Sequence, residues 1–224
     1  MHRLVLIVML ISAPIIAQSV DDPAELLRRV RSVAANTKSW RAEVVEKSTL
    51  SGGGMDLQGE VRTKIAVQAP LKVNRQNSGS DRTLIICDGV EMLYSGDGHS
   101  YYRSEARVEY QCDYPLSKFF QLDERPASVA VLGRDHVRLT DGDRECVLVH
   151  AEWKRDSGNV VRIMCIDPKA ALILRDVIAT EDEQTGIKAV TETTVVDFER
   201  DPTFPSSTFW ISLPQGALES KPPI

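Results

Sequence analysis

Behind an apolar head, the hydrophobic positions of this chain recur first every three to four residues and then every second one. "VDDPAELLRRVRSVAAN" (20–36) lines up Leu26, Leu27, Val30, Val33 and Ala34 on one stripe, with Arg28, Arg29 and Arg31 turned away. That is the period of an amphipathic helix. Asp22 offers the N-cap, Pro23 the first helical position, Glu25 a capping-box partner and Asn36 a stop. From Trp40 the period drops to two. "SWRAEVVEKSTL" alternates Trp40, Ala42 and Val44 against Arg41 and Glu43. After a glycine-rich turn, "SGGGMDLQG", "EVRTKIAVQ" alternates Val61, Ile65 and Val67 against Arg62, Lys64 and Ala66. "LKVNRQN", "RTLIIC", "VEMLYS" and "SYYRSE" follow, punctuated by Ser-Gly-Ser, Asp-Gly and Gly-Asp-Gly. This is a meander of short antiparallel strands with one apolar and one wet face.

"CDYPLSKFFQLDERPASVAV" breaks the alternation. Leu116, Phe119 and Phe120 fall at helical spacing and predict a short mid-chain helix from Pro115. Strands resume with "HVRLT", "RECVLVHAEW", "NVVRIMCI", "ALILRDVIAT", "KAVTETTVVDFE" and a last "STFWISLP". The sum is about ten strands and two helices, an α+β chain. A sheet of that length must cover its apolar face by closing into a barrel, stacking as a sandwich or curling around helices. The two helices favour the last. The expected architecture is a curved antiparallel β-sheet forming an incomplete, half-open barrel, its concave face covered by the N-terminal and mid-chain helices.

The head changes where such a sheet would work. "MHRLVLIVMLISAPIIAQS" has a short charged start, an apolar run from Leu4 to Ile16 and a small Ala17 before Gln18. That is the layout of a secretory signal peptide cleaved after Ala17, with residues 18–224 left as one domain. The alternative is an N-terminal anchor that stays on, since Ile15 is bulky for the cleavage site. No cysteine stands near the cut, so lipidation there is not expected. The net charge of −5, with no basic block, argues against nucleic acid and against docking to an anionic bilayer.

Four cysteines in an exported chain form an even set in an oxidising space. Of the three possible pairings, 87–112 with 146–165 is favoured. If residues 154–157 make a four-residue loop, Trp153 faces Gly158 and Cys146 falls opposite Cys165. A slip of register would break that match.

Candidate chemistry is thin. In "IICDGVEMLYSGDGHSYY" (85–102), Cys87, Asp88 and His99 suggest a nucleophile with helpers. Asp88-Gly89 is also the preferred two-residue hairpin turn, and an even cysteine count favours bridging over a free thiolate. The histidines at 2, 99, 136 and 150 have no metal-ligand spacing. The carboxylates of "TEDEQTG" (180–186) read as a solvated turn, with calcium the lesser alternative, and no serine sits in a G-x-S-x-G elbow. No cofactor, metal site or catalytic residue is expected, and the chain is not read as an enzyme.

Three passages carry a resemblance. "GEVRTKIAVQAPLKVNRQ" looks like a strand–proline–strand passage with Pro70 at the break and Arg75 beyond it. "LIICDGVEMLYSGDGHSYY" looks like a hydrophobic–Asp-Gly–hydrophobic-Tyr hairpin, and "FWISLPQGA" like a closing Phe–Pro–Gly signature. Together they resemble the LolA-like family of periplasmic lipoprotein carriers. That resemblance implies an apolar cavity for acyl chains under a movable helical lid, membrane-bound donor and acceptor proteins, and a monomer in the periplasm. Its alternative is a sensor on the same fold, similar to RseB, that binds a protein partner. The implied cavity lining is Trp40, Ala42, Val44, Val61, Ile65, Val67, Leu84, Ile86, Met92 and Tyr94, with Phe119 and Phe120 as lid or core. Without an attachment cysteine the chain resembles the soluble carrier rather than the anchored receptor. Two features depart from the pattern. Ala69 stands where a basic residue often precedes the proline, leaving Arg62, Lys64 or Arg75 to substitute, and the four cysteines are not expected of the family.

Overall fold

The fold follows from a computed structural model that describes residues 22–70, 72–78, 83–106, 126–155, 158–182, 184–213 and 217–220. The helix forms where the apolar stripe places it, α1 at Pro23–Asn36, with the Asp22 carboxylate accepting from the Ala24 amide at 3.0 Å. Thr37 ends it, its amide donating to the carbonyls of Val33 and Ala34. Glu25 does not close a capping box. Both of its oxygens accept from the Arg28 guanidinium instead, at 2.6 and 2.7 Å.

The alternating segments assemble into one twelve-stranded sheet. Its strands are β1 (Ser39–Gly52), β2 (Met55–Gln68), β3 (Lys72–Ser78), β4 (Leu84–Asp88), β5 (Glu91–Ser95), β6 (Ser100–Glu105), β7 (Ser128–Leu139), β8 (Gly142–Arg155), β9 (Gly158–Asp167), β10 (Leu172–Glu181), β11 (Lys188–Arg200) and β12 (Leu218–Ser220). The spatial order is β12-β6-β5-β4-β3-β2-β1-β11-β10-β9-β8-β7, antiparallel throughout except for β12 beside β6. The two meanders therefore join through β1 and β11. The sheet stays open, as the half-open barrel requires, but it curls: Thr140, just past β7, donates its amide to the Val196 carbonyl of β11 at 2.9 Å.

Three local expectations change. The glycine-rich stretch 51–59 is mostly strand; Gly52 pairs with Met55, so Gly53 and Gly54 alone make the turn. Gly52 is needed there, because a Cβ would sit 2.3 Å from the Gly186 carbonyl oxygen. β7 starts at Ser128, eight residues before the predicted "HVRLT". "STFWISLP" is not a strand: Ser206–Phe209 forms a 3-10 turn that buries Phe209. The mid-chain helix expected from Pro115, with Phe119, Phe120 and Cys112, lies outside the described residues, as does the apolar head. Among the described residues α1 is the one α-helix, and no helix is long and apolar enough to cross a membrane.

Two cores lie on opposite sides of the sheet. On the side that carries α1, Leu26, Leu27 and Val30 pack against Trp40, Val44, Val149, Met164 and Ile173. On the other side Val137, Leu139, Leu172 and Leu174 surround Cys146 and Cys165. Those two cysteines are joined, with a Cα–Cα distance of 5.3 Å. The bond is the expected one, but the register behind it differs. Arg155 pairs with Gly158 and Leu148 with Cys165, so β8 and β9 run further than a loop at 154–157 would allow. The resulting shift is two residues, which keeps every side chain on its face. Cys146 thus reaches Cys165 diagonally. Cys87 is a free buried thiol, and its expected pairing with Cys112 falls outside the described residues.

Candidate ligand-binding faces of the sheet

Register decides which side chains share a face, because directly paired residues of an antiparallel ladder project together. Trp40, Ala42 and Val44 pair with Val67, Ile65 and Thr63, which pair in turn with Val73, Arg75 and Asn77. From Val73 and Arg75 the rows continue to Cys87 and Ile85, then Met92 and Tyr94, then Ser104 and Tyr102. These residues form the face that carries α1, called here the helix face.

Of the predicted lining, Trp40, Ala42, Val44, Val61, Ile65, Val67, Met92 and Tyr94 lie on the helix face. Leu84 and Ile86 do not. Ile86 pairs with Asn74 and Leu93, and Leu84 with Ser95, so both belong to the opposite face. A single-residue shift of the alternation in "RTLIIC" has this effect; Ile85 and Cys87 take the places assigned to their neighbours. On the opposite face Ile86 is buried along with Leu93 and Tyr101. Phe204 and Phe209 meet there edge to face at 5.1 Å, and the Asn74 amide donates to the Thr208 carbonyl at 2.6 Å.

The helix face itself has two parts. On β1, β2 and β8–β11 it is packed: Trp40, Ala42, Val44 and Ile65 belong to the α1 core, and Trp40 stacks on Phe198 at 6.4 Å. On β4–β6 it is more open. Ile85, Met92 and Tyr102 are half-buried and Tyr94 is 37% exposed, its ring stacked on Tyr102 at 6.3 Å. α1 rests against β7 and β10, away from this second part.

Periodicity overlooked a charged pair on the same face. Arg162 of β9 donates through Nε to both oxygens of Asp176 on β10, at 2.8 and 2.9 Å, and both side chains are buried. Asp176 pairs with Met164 and Thr193, which puts the ion pair beside the α1 core. The available signal was an arginine and an aspartate inside the apolar runs "VVRIMCI" and "ALILRDVIAT".

The three cations proposed to replace a basic residue at Ala69 also separate by face. Arg62 and Lys64 project from the opposite face to Glu43, at 2.8 and 3.9 Å. Arg75 alone of the three lies on the helix face.

The suspected trio of Cys87, Asp88 and His99 is taken apart by the same ladder. Cys87 pairs with Met92 beside the β4–β5 turn, whereas His99 follows β5 at its other end, ~10 Å further along the strand. The turn is Gly89-Val90, one residue later than expected, with Gly89 at φ 103°. Asp88 caps it, its Oδ1 accepting from the Val90 and Glu91 amides at 2.8 and 2.9 Å. Burial pushes the Cys87 thiol up, the opposite of an activated nucleophile. Among the described residues no three metal-donor side chains converge. In the acidic turn, Asp182 Oδ1 accepts from the Gln184 and Thr185 amides, which makes it a turn cap.

His99 lies in a second capped turn. Asp97 accepts from the Ser100 and His99 amides, each at 2.8 Å, and those hydrogen bonds bring its carboxyl from 3.8 to about 2. A carboxyl depressed by folding stabilises the fold above its ordinary value, and that stabilisation is lost as the pH falls through the folded value. The Asp97→Asn variant should therefore show a flatter acid limb between pH 3.8 and about 2, measured as the denaturant midpoint against pH. An unchanged slope would remove Asp97 from the acid response.

No protein-family model matches the chain, and no curated protein matches it in sequence. Solved structures do. LprF from Mycobacterium bovis matches at 13% identity and a TM-score of 0.50, over 86% of this chain and 96% of that one. The Pseudomonas aeruginosa MucA/MucB complex matches at 14% identity and a TM-score of 0.48, over 85% of this chain. This chain spans 61% of the length of the one it matches there. The LolA superfamily protein NE2245 from Nitrosomonas europaea matches at 10% identity and a TM-score of 0.39, over 84% of this chain and 97% of that one. At such identities the likeness is one of fold alone, and the fold this chain shares is that of LprF.

Proposed function

We propose, from the fold shared with LprF and the passages that resemble LolA-like carriers, that the protein is an exported carrier that holds the acyl chains of a lipoprotein or lipid against its helix face. On this reading residues 1–17 direct export and are removed, residues 18–224 work as one domain in the periplasm, and the cargo passes from a membrane-bound donor to an acceptor. The observation that carries the reading is the division of the helix face. A large part is filled by α1, while the apolar row of Ile85, Tyr94 and Tyr102, with Met92 in the row beside it, extends beyond it, partly open.

The energetics suit a carrier. Each methylene withdrawn from water is worth ~0.8 kcal/mol, so an acyl chain needs a continuous apolar wall. An open sheet edge and a helix held by one stripe supply a wall that can also release. Met92 and Tyr94 would line the open part, and Trp40, Ala42, Val44 and Ile65 would become available only if α1 moved.

Organic extraction of the natively purified protein followed by mass spectrometry should yield lipid or acylated peptide in stoichiometric amount. Met92→Asp places a carboxylate on the open part of the face and should lower that yield at least about tenfold, since an unpaired buried charge costs more than the ~1.4 kcal/mol a tenfold loss represents. Clean protein that also fails to move a lipoprotein between membranes, yet captures one protein partner stoichiometrically, would sink the carrier reading and favour the sensor.

A further inference from the structure

The opposite face holds a groove of about 470 Å³, which the helix-face reading leaves unused. Its floor is Ala66, the small residue of a row in which Arg41 and Asn74 are the direct neighbours. In the next row Lys64 pairs with Glu43 and with Gln76. Phe204, Pro205 and Thr208 form the wall, and Trp210, two residues further on, is 74% exposed. The volume falls within the ~300–1,000 Å³ of small-molecule sites.

The charges around the groove are already matched within the protein. Arg41 meets Glu199 at 2.6 Å, and Glu43 takes Arg62 at 2.8 Å and Lys64 at 3.9 Å. Asp197 accepts from the Thr140 hydroxyl at 2.9 Å. Three cations and three anions thus balance in total around the groove, Arg62 and Lys64 sharing Glu43 while Asp197 meets a hydroxyl, so no net charge favours an anion or a cation there. The amides of the groove are joined to one another, Gln76 Nε2 donating to Asn74 Oδ1 at 3.1 Å and Asn74 Nδ2 to the Thr208 carbonyl at 2.6 Å, and their remaining donor and acceptor sites border aromatic and proline surface. A peptide added as a strand would need a free backbone edge. β1, β2, β3 and β11 are all interior strands with both edges paired, so the floor presents side chains only.

We infer that this groove binds an uncharged, hydroxyl-rich ligand, a short neutral saccharide, whose hydroxyls meet the Asn74–Gln76–Thr208 side and whose C–H faces lie on Phe204. The inference is independent of the acyl cargo, because Ala66 and Gln76 project away from the helix face. Titration of the full mature chain with chitobiose, cellobiose and maltotriose, followed by amide NMR, tests it. At least one of the three should give saturable shifts centred on Ala66, Gln76 and Thr208. Gln76→Ala removes an exposed side chain and should weaken that binding about fivefold, the value of one hydrogen bond; Ala66→Phe, which fills the floor, should abolish it. No saturable shift up to the solubility limit overturns the inference. So do shifts that ignore both substitutions, or a response to phosphate, glutamate or spermidine with none to the neutral sugars.

Discussion

Asp176→Ala is expected to destabilise the protein by about 3–5 kcal/mol, a large share of the ~5–15 kcal/mol by which domains are stable. The substitution leaves the Arg162 guanidinium buried beside the α1 core without the carboxylate that accepts its Nε hydrogen. The cost comes from keeping a charge buried after its Asp176 carboxylate is gone, which exceeds the net worth of the attraction itself. For that reason the double variant Arg162→Met/Asp176→Leu should recover most of the loss, since apolar residues of similar volume replace buried ion pairs at little or no net cost. Chemical denaturation of the three proteins gives the comparison. A single variant within about 1 kcal/mol of the parent would mean that water reaches the pair. A double variant as unstable as the single one would mean that the pair sets the β9–β10 register, a role stability alone does not reveal.

Removal of the Cys146–Cys165 bridge by paired substitution to alanine should cost more than the about 3 kcal/mol that chain entropy assigns to a loop closed over a sequence separation of 19. Both cysteines are buried on the opposite face in the core with Leu172 and Leu174. Each alanine therefore also forfeits some packing, and reductant alone should reproduce the smaller, purely covalent part. The measurement is the denaturant midpoint with and without reductant. Equal midpoints would show that the folded state, not the cross-link, already holds β8 against β9. Cys87 provides the control: as a free thiol it should leave the reductant response unchanged when replaced by serine.

Much of this fold was legible from the period of the hydrophobic positions alone. α1 ends where its stripe and Asn36 end it, and β1 alternates from Trp40 as written. The local rules failed where an apolar run lacks alternation. "RTLIIC" offers Leu84, Ile85, Ile86 and Cys87 in succession, so period two gives no phase, and the face assignment came out inverted. Glycines misled in another way. "SGGGMDLQG" has the composition of a loop, yet strand pairing continues across it to Gly52 and Met55 because β1, held by β11 as far as Ser51, carries its β2 partner along to the turn. Propensity is a weak prior when a ladder on either flank is already in place.

The candidate site was half legible. Trp40, Ala42, Val44 and Ile65 share a face as predicted, and the same pattern could not show that α1 fills the space above them. Cys87 and His99 are twelve residues apart in sequence, and only the hairpin register places them at opposite ends of β5.

What the sequence determined by itself is the alphabet of the structure: a capped amphipathic helix, one-faced strands in antiparallel succession, and a cysteine pair that joins β8 to β9. Those features depend on neighbours within a few residues or across one hairpin, where period and turn chemistry act directly. The tertiary structure alone decided which meander edges meet, and it joined β1 to β11 across some 140 residues of chain. It also decided that the Arg162–Asp176 pair of the β9–β10 hairpin is buried beside the α1 core, and that the segment after Asp201 folds over β3 and β4 to wall a groove. The physical reason is the same in each case. These contacts form between surfaces that exist only once the sheet has closed its long-range pairings, so no local pattern in the chain encodes them.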